Sequence, residues 1–183
     1  MTSDDDKARF ATVVLPHLGD AYALARWITG DRSDAEDVVQ DACLRAFRAI
    51  ETFGGRNARA WTLTIVRNAA YTWMSKRRAM PMVAVGDLDD IERAQSLKGA
   101  DGPEPSQAPL TPEAELIAKA DAAQLQAAIA ALPPQFRETL VLRDLHGLDY
   151  REIAEVTGVP VGTVMSRLAR ARQRLIQAIG AKR

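Results

Sequence analysis

Cysteine, histidine and aromatic residues are scarce in this chain of 183 residues. Cys43 is the single cysteine, which excludes an internal disulfide and a cysteine-based zinc site. His17 and His146 are the only histidines, and no carboxylate–histidine cluster, nucleophile elbow or phosphate-binding loop accompanies them. We therefore expect no catalytic residues, no metal and no cofactor, and we interpret both histidines as ordinary surface or turn residues.

Long apolar runs and a net charge are also missing. No apolar segment approaches the length that crosses a bilayer, and the N-terminus lacks the basic-then-apolar pattern of a secretion signal. These absences predict a cytoplasmic protein without membrane insertion. The 24 basic residues balance the 24 acidic ones, which by itself argues against a generic nucleic-acid binder.

The charges are, however, unevenly distributed along the chain. Residues 54–80 contain six basic residues and no acid, and residues 160–183 again contain six and no acid. Between them, residues 81–121 contain nine acids and three bases. Because a phosphate backbone responds to local charge, the two basic blocks are candidates for nucleic-acid binding.

Proline and glycine placement predicts the domain organisation. Five of the nine prolines fall within residues 81–112, which we interpret as a linker. It separates an N-terminal domain, residues 1–80, from a C-terminal domain, residues 113–183. Aromatic residues are only 5% of the chain, and apolar residues recur at helical spacing in both halves. The prediction is an all-α protein with two small helical domains joined by a long linker.

The N-terminal domain is predicted to contain three or four helices. One stops at Gly30, and the next begins with a capping box formed by Ser33 and Glu36. A further helix runs from about Ala58 to Arg78 and carries Trp61, Ile65, Ala69 and Trp73 at four-residue spacing. We interpret Trp61 and Cys43 as core residues. Trp73 is compatible either with the core or with stacking on unpaired bases.

The C-terminal domain is predicted to end in a helix-turn-helix. Asp149 and Glu152 form a capping box, and Gly158 lies at the turn. The last helix has an apolar stripe and a separate polar stripe, an arrangement that suits the major groove of DNA. We assign base-edge contacts to Thr163, Ser166 and Arg167, and mainly phosphate contacts to Arg170, Arg172 and Arg174. The alternative is an amphipathic surface helix with a solvated arginine face, although a solvated helix usually mixes charges.

Two blocks of residues carry a resemblance to a known family. The first comprises Asp34–Asp41 (DAEDVVQD), Leu44–Phe47 (LRAF), Ala60-Trp61 and Ile65–Asn68 (IVRN). The second runs from Ala131-Leu132-Pro133 through Gly162–Ala171 (GTVMSRLARA). In this order, with a linker between them, the blocks resemble bacterial RNA polymerase sigma factors of the extracytoplasmic-function (ECF) group.

The resemblance implies roles that composition alone does not supply. The segment like residues 34–48 would dock on the clamp helices of core RNA polymerase, through Asp37, Gln40, Asp41, Leu44 and Arg48. The segment like residues 57–78 would bind the minus-10 element of promoter DNA. Its candidates are Asn68 for base contact, Trp73 for stacking, and Arg67, Lys76, Arg77 and Arg78 for the backbone. The helix-turn-helix would read the minus-35 element, and an anti-sigma factor is a further candidate partner.

Two residues depart from the family pattern. Met165 stands where the family often has lysine or arginine, and Pro160 replaces a frequent serine cap. Both affect the surface that would read the upstream element. The main hypothesis is thus a sigma factor without catalytic activity. The alternative is a stand-alone helix-turn-helix regulator that binds an operator as a dimer, but it leaves residues 34–48 without a role and offers no obvious dimer helix.

Overall fold

The computed structural model describes residues 3–79 and 112–180 of the chain. The predicted linker therefore lies outside the described residues, except for Pro112. All regular elements in the described ranges are helices, which confirms the predicted all-α class. In the N-terminal part these are α1 (Ser3–Val13), α2 (Leu18–Thr29), α3 (Arg32–Arg48) and α4 (Ala58–Ala79), with short 3-10 turns at Leu15–His17 and Ile50–Thr52.

Local sequence explains where α2 ends and α3 begins. Gly30 adopts a left-handed conformation with φ of 79°, and its amide donates to the Arg26 carbonyl at 2.9 Å. The predicted capping box at Ser33 is wrong: the N-cap of α3 lies two residues earlier, at Asp31, whose side chain accepts from the Asp34 amide at 2.9 Å. Glu36 instead accepts from Arg32 at 3.2 Å, one turn away on the helix surface.

The C-terminal part contains four helices and one irregular turn. They are α5 (Pro112–Ala130), α6 (Pro134–Leu140), a π-helical turn (Val141–Leu145), α7 (Tyr150–Thr157) and α8 (Val161–Gly180). The predicted capping box of α7 is confirmed, because Asp149 accepts from the Glu152 amide while Glu152 accepts from the Asp149 amide. Gly158 ends α7 with φ of 69°, so α7, the turn and α8 form the predicted helix-turn-helix.

The larger of two hydrophobic clusters among the described residues extends through both parts of the molecule. Leu24 and Leu63 of α2 and α4 belong to the same buried cluster as Leu142, Ile153 and Leu168. Helix α4 packs on α7, and α2 packs on α6. A second, smaller cluster holds Val14, Ile50 and Phe53 under α1. The two domains therefore contact each other directly through helices α2, α4, α6 and α7.

Candidate nucleic-acid interface

The polar face of α8 is accessible in this structure. Val164, Leu168 and Ala171 are buried and attach the helix to its domain. Ser166 and Arg170 are exposed, while Thr163 and Arg167 are half-buried on the same side. Met165 lies among them with 53% of its surface exposed, so it adds an apolar group to this face. The arrangement matches the stripe predicted from the sequence.

Arg172 and Arg174 differ from their neighbours on α8 because each already has a partner. Arg172 donates to the Asp144 carboxylate at 2.7 Å. The Arg174 guanidinium lies 5.1 Å from the ring centroid of Phe136, a cation–π geometry. Both side chains remain exposed. A phosphate that binds Arg172 would have to displace or share the Asp144 carboxylate.

The acid-free block of residues 54–80 contains the whole of α4. Asn68, Lys76 and Arg77 are exposed, and Arg77 forms an ion pair with Asp34 of α3. The side chain of Arg78 lies outside the described part of the structure. Arg67 is different, because only 20% of its side chain is exposed and it binds Glu138 of the C-terminal domain.

The two tryptophans of α4 are held by packing. Trp61 is half-buried, and its ring centroid lies 5.2 Å from that of Phe53, so it packs against the smaller core cluster. Trp73 is also half-buried and packs against the main core. This packing favours the core alternative for Trp73 over an exposed platform for base stacking.

The exposed face of α3 combines charged groups with apolar side chains. Asp37, Gln40 and Arg48 are exposed, and Asp41 pairs with Arg45 at 2.7 Å. Leu44 is 59% exposed and Phe47 is 38% exposed. Both line an open groove with Gln40 of α3, and its remaining lining residues are Phe10, Leu18, Val39 and Cys43.

Cys43 is not the core residue predicted from the sequence. It is half-buried and lines the groove beside Leu44. Burial raises the pKa of its thiol, which disfavours the thiolate that oxidants and electrophiles attack. Cys43 therefore packs in the wall of the groove.

His146 lies at a turn, as one of the two sequence alternatives predicted, but its side chain is not on the surface. Its side chain is only 5% exposed, and Nδ1 lies 3.3 Å from the Asp20 carboxylate of α2. Arg59 of α4 donates to the same carboxylate at 2.7 Å and to the His146 carbonyl at 2.6 Å. These three residues join the two domains. Burial lowers the pKa of His146, although Asp20 acts in the opposite direction.

Two further polar contacts cross between the domains. Glu138 of α6 is 2% exposed and accepts from both Arg67 and Tyr71 of α4. Burial, reinforced by Glu138, raises the pKa of Tyr71 to about 12, so the phenol stays protonated and donates. Asn57 caps α4 by accepting from the Ala60 amide at 3.0 Å, and it donates to Glu152 of α7 at 2.8 Å.

We name these contacts the interdomain latch: Asp20, Asn57, Arg59, Arg67 and Tyr71 on one side, and Glu138, His146 and Glu152 on the other. None of these contacts between the two domains was predicted from the sequence. The paired residues are separated by 67 to 126 positions, so no local pattern relates them.

Within residues 3–79 and 112–180, no group of three or more histidine, cysteine or acidic side chains is arranged to hold a metal ion. No helix there has the length and hydropathy of a bilayer span.

Comparison with protein families matches both domains. Residues 13–80 match the sigma-70 region 2 family, and residues 122–175 match the sigma-70 region 4 family. The matched ranges contain α2, α3 and α4 in the first case and α6, α7 and most of α8 in the second. The features described above therefore lie almost entirely within the matched segments.

Individual relatives agree with the family match. The chain is 34% identical over 163 residues to the ECF RNA polymerase sigma factor SigE of Mycolicibacterium smegmatis, covering 89% of this chain but 58% of that longer protein. It is 34% identical over 178 residues to the RNA polymerase sigma-H factor of Pseudomonas aeruginosa, covering 95% and 88%. It is 33% identical over 170 residues to the ECF RNA polymerase sigma-E factor of Escherichia coli K12, covering 92% and 85%.

A solved structure shares the two-domain architecture. The sigma factor RpoE, in its complex with the anti-sigma factor NepR from Bartonella quintana, superposes with a TM-score of 0.65 at 26% identity, covering 98% of this chain and 99% of that one. The stand-alone regulator is not favoured by any of these matches. The chain belongs to the ECF sigma factors of bacterial RNA polymerase.

Proposed function

We propose that three surfaces of this chain have separate roles in promoter recognition. The chain acts in the cytoplasm by binding its partners, without catalytic activity of its own. Residues 1–80 act as sigma region 2, residues 81–112 as the linker, and residues 113–183 as sigma region 4. The exposed face of α3 docks on core RNA polymerase, α4 binds the minus-10 element, and α8 reads the minus-35 element.

The groove beside α3 is the observation that supports polymerase docking most strongly. Leu44 is one of the most exposed large apolar side chains among the described residues, and Phe47 and the groove continue its apolar surface. Exposed apolar surface bordered by polar groups is typical of protein–protein contact sites. Gln40 lines the groove, and Asp37, Asp41 and Arg48 add charged groups on the same helix.

The DNA-binding assignments rest on the chemistry of the side chains and on their positions along α8 and α4. On α8, Thr163, Ser166 and Arg167 lie near the N-terminal end, which enters the major groove in this motif. Arg170, Arg172 and Arg174 follow toward the C-terminus and suit phosphates. On α4, Asn68 offers an amide for base contact, while Arg67, Lys76, Arg77 and Arg78 provide cations for the backbone. Trp73 supports α4 from the core side.

Transcription with purified core RNA polymerase tests this proposal. Polymerase alone and polymerase with the chain are compared on a library of promoter-containing templates, with run-off transcripts identified by sequencing. We expect transcripts from a distinct promoter class only when the chain is present. Failure to bind core polymerase would contradict the proposal.

We further propose an anti-sigma factor as a partner. The RpoE structure that resembles this chain was determined with an anti-sigma factor bound, and the resemblance covers both domains. Such a partner would be expected to suppress the chain-dependent transcripts described above. A purified candidate that binds the chain without reducing transcription would not be its anti-sigma factor.

A further inference from the structure

An exposed apolar stripe runs along the first half of α8, beside the polar side chains assigned to DNA. It consists of Val161, Met165 and Ala169, which are spaced four residues apart and therefore lie on one side of the helix. Met165 is 53% exposed, Val161 is 37% exposed, and Ala169 is exposed as well. We propose that this apolar stripe reads the C5-methyl groups of thymines in the minus-35 element, with Met165 as its central residue. The inference rests on the proposed function of α8 as the helix that enters the major groove.

The apolar stripe forms one border of the exposed face of α8. At about 100° per residue, Thr163 and Arg167 lie about 160° from Met165, on the opposite border. Ser166 and Arg170 occupy the face between the two borders. A helix with its side chains is about 10–12 Å across and the major groove is about 12 Å wide, so both borders of an inserted helix face the groove. One border is thus apolar, and the other carries hydroxyl and guanidinium groups.

The chemistry of the base edges decides what an apolar border can recognise. In the major groove the bases present hydrogen-bond donors and acceptors, and the thymine C5-methyl is the apolar group among them. An apolar side chain placed over a donor or acceptor removes its water without replacing the hydrogen bond, which costs free energy. Over a methyl group, the same side chain buries apolar surface favourably. The unbranched side chain of Met165 is also flexible enough to follow the local shape of the groove.

Charge favours DNA over a protein as the occupant of this border. Exposed apolar side chains are often sites of protein contact, but residues 160–183 contain six basic residues and no acid. All charged side chains on α8 are therefore cationic, which suits a groove lined by phosphates.

Ile176 provides a matched apolar position outside the proposed contact. It is 72% exposed on the same side of α8 as Met165. It lies about 16 Å farther along the helix, away from the N-terminal end that enters the groove. Substitution of Ile176 therefore changes the exposed apolar surface of α8 without changing the apolar stripe.

A cycle of protein and base substitutions tests the inference on the full chain. Duplexes are first selected from a random-sequence library by the wild-type chain, both alone and with core RNA polymerase. Each thymine of the selected sequence is then replaced singly by deoxyuridine, which lacks only the C5-methyl group. Fluorescence anisotropy measures binding of both kinds of duplex to the wild type, Met165→Gln and Met165→Leu, with Ile176→Gln as the control.

We expect the wild type to bind at least one deoxyuridine duplex about three- to fourfold more weakly, the factor that corresponds to burial of one methyl group. The sensitive thymines should lie within about four consecutive base pairs, because the apolar stripe extends about 12 Å along α8. Met165→Gln should bind thymine and deoxyuridine duplexes equally, whereas Met165→Leu and Ile176→Gln should retain the wild-type ratio. Because each variant is compared with itself on two duplexes, a general loss of affinity does not change this ratio.

Three outcomes would overturn the inference: no sequence selected by the chain in either form, no deoxyuridine effect in the wild type, or the same effect in Met165→Gln. The last outcome, combined with weaker polymerase binding by Met165→Gln, would show that the apolar stripe contacts protein. Failure of the proposed function gives a different result. A chain that distinguishes thymine from deoxyuridine through Met165, yet directs no transcription with core polymerase, would contradict the promoter role and leave the methyl reading supported.

Discussion

At the scale of single residues, arginines of similar predicted role have different surroundings. Arg170 is exposed, Arg172 pairs with Asp144, and Arg67 is held by Glu138. Substitution of the arginine therefore removes different contacts at each position. An arginine that must leave a carboxylate before it binds DNA contributes less net affinity than one that is already solvated.

Arg167→Ala and Arg170→Ala form a pair that separates base reading from phosphate binding. We expect Arg167→Ala to reduce the preference for a selected promoter over random duplex by about 1–3 kcal/mol. Arg170→Ala should weaken binding to both duplexes and lower the slope of log K against log salt by about 1. Fluorescence anisotropy of holoenzyme across a salt series measures both. Equal losses on every duplex from Arg167→Ala would contradict its assignment to a base edge.

His146 predicts a pH dependence of stability. Burial lowers its pKa in the folded chain, with Arg59 acting in the same direction and Asp20 opposing it. The unfolded chain therefore takes up a proton more readily than the folded chain, and stability is lost as the pH falls below the ordinary histidine value of about 6.5. Urea unfolding at pH 8.0 and 5.5 should show this decrease. His146→Gln should flatten it, whereas His17→Gln should retain it.

At the scale of elements, the helix-turn-helix depends on backbone conformation at one glycine. Gly158 has φ of 69°, and an added Cβ would meet no atom within 4 Å. Gly158→Ala should therefore destabilise the fold by about 1–2 kcal/mol through the left-handed conformation alone. Urea unfolding measures this change.

Gly162 is the matched control within the next helix. It has equally open surroundings without a positive φ, and alanine is favoured over glycine inside a helix by up to about 1 kcal/mol. Gly162→Ala should therefore be neutral or stabilising. Equal destabilisation by both substitutions would show that space, and not backbone conformation, limits these positions.

Helix α3 carries the prediction for polymerase docking. Leu44→Glu places a charge at the edge of the apolar groove and should weaken binding to core polymerase at least tenfold. Leu15→Glu is the control, because Leu15 is 47% exposed in the same domain but does not line the groove. Competition for labelled polymerase measures both variants. An equal loss of polymerase binding in both variants would show that polymerase docks on another surface.

At the scale of the whole molecule, the shared core predicts how the chain unfolds. Residues of α2 and α4 belong to one buried cluster with residues of α6, α7 and α8, and the latch surrounds that contact. We expect the wild type to unfold in one calorimetric transition. Glu138→Gln leaves the Arg67 charge without its anion and should divide the unfolding into two transitions, one for each domain. A single unshifted transition in the variant would show that the latch does not couple the domains.

The sequence by itself determined the helical class, the helix-turn-helix, the capping box of α7 and the family. These depend on spacing within one element or on short motifs, and hydrogen bonds between neighbours in sequence enforce them. A local pattern can still predict the wrong helix start when two capping residues lie close together. Asp31, not Ser33, is the N-cap of α3 because its carboxylate accepts from the Asp34 amide.

Only the tertiary structure decided the surroundings of Cys43, His146 and Arg67. His146 contacts a carboxylate 126 positions away, and Arg67 contacts one 71 positions away. Burial and ion pairing between such distant residues depend on how the helices pack, which helical periodicity does not specify. The absence of acids in α4 therefore predicts an open surface for DNA. In the folded chain, the C-terminal domain contacts part of this helix.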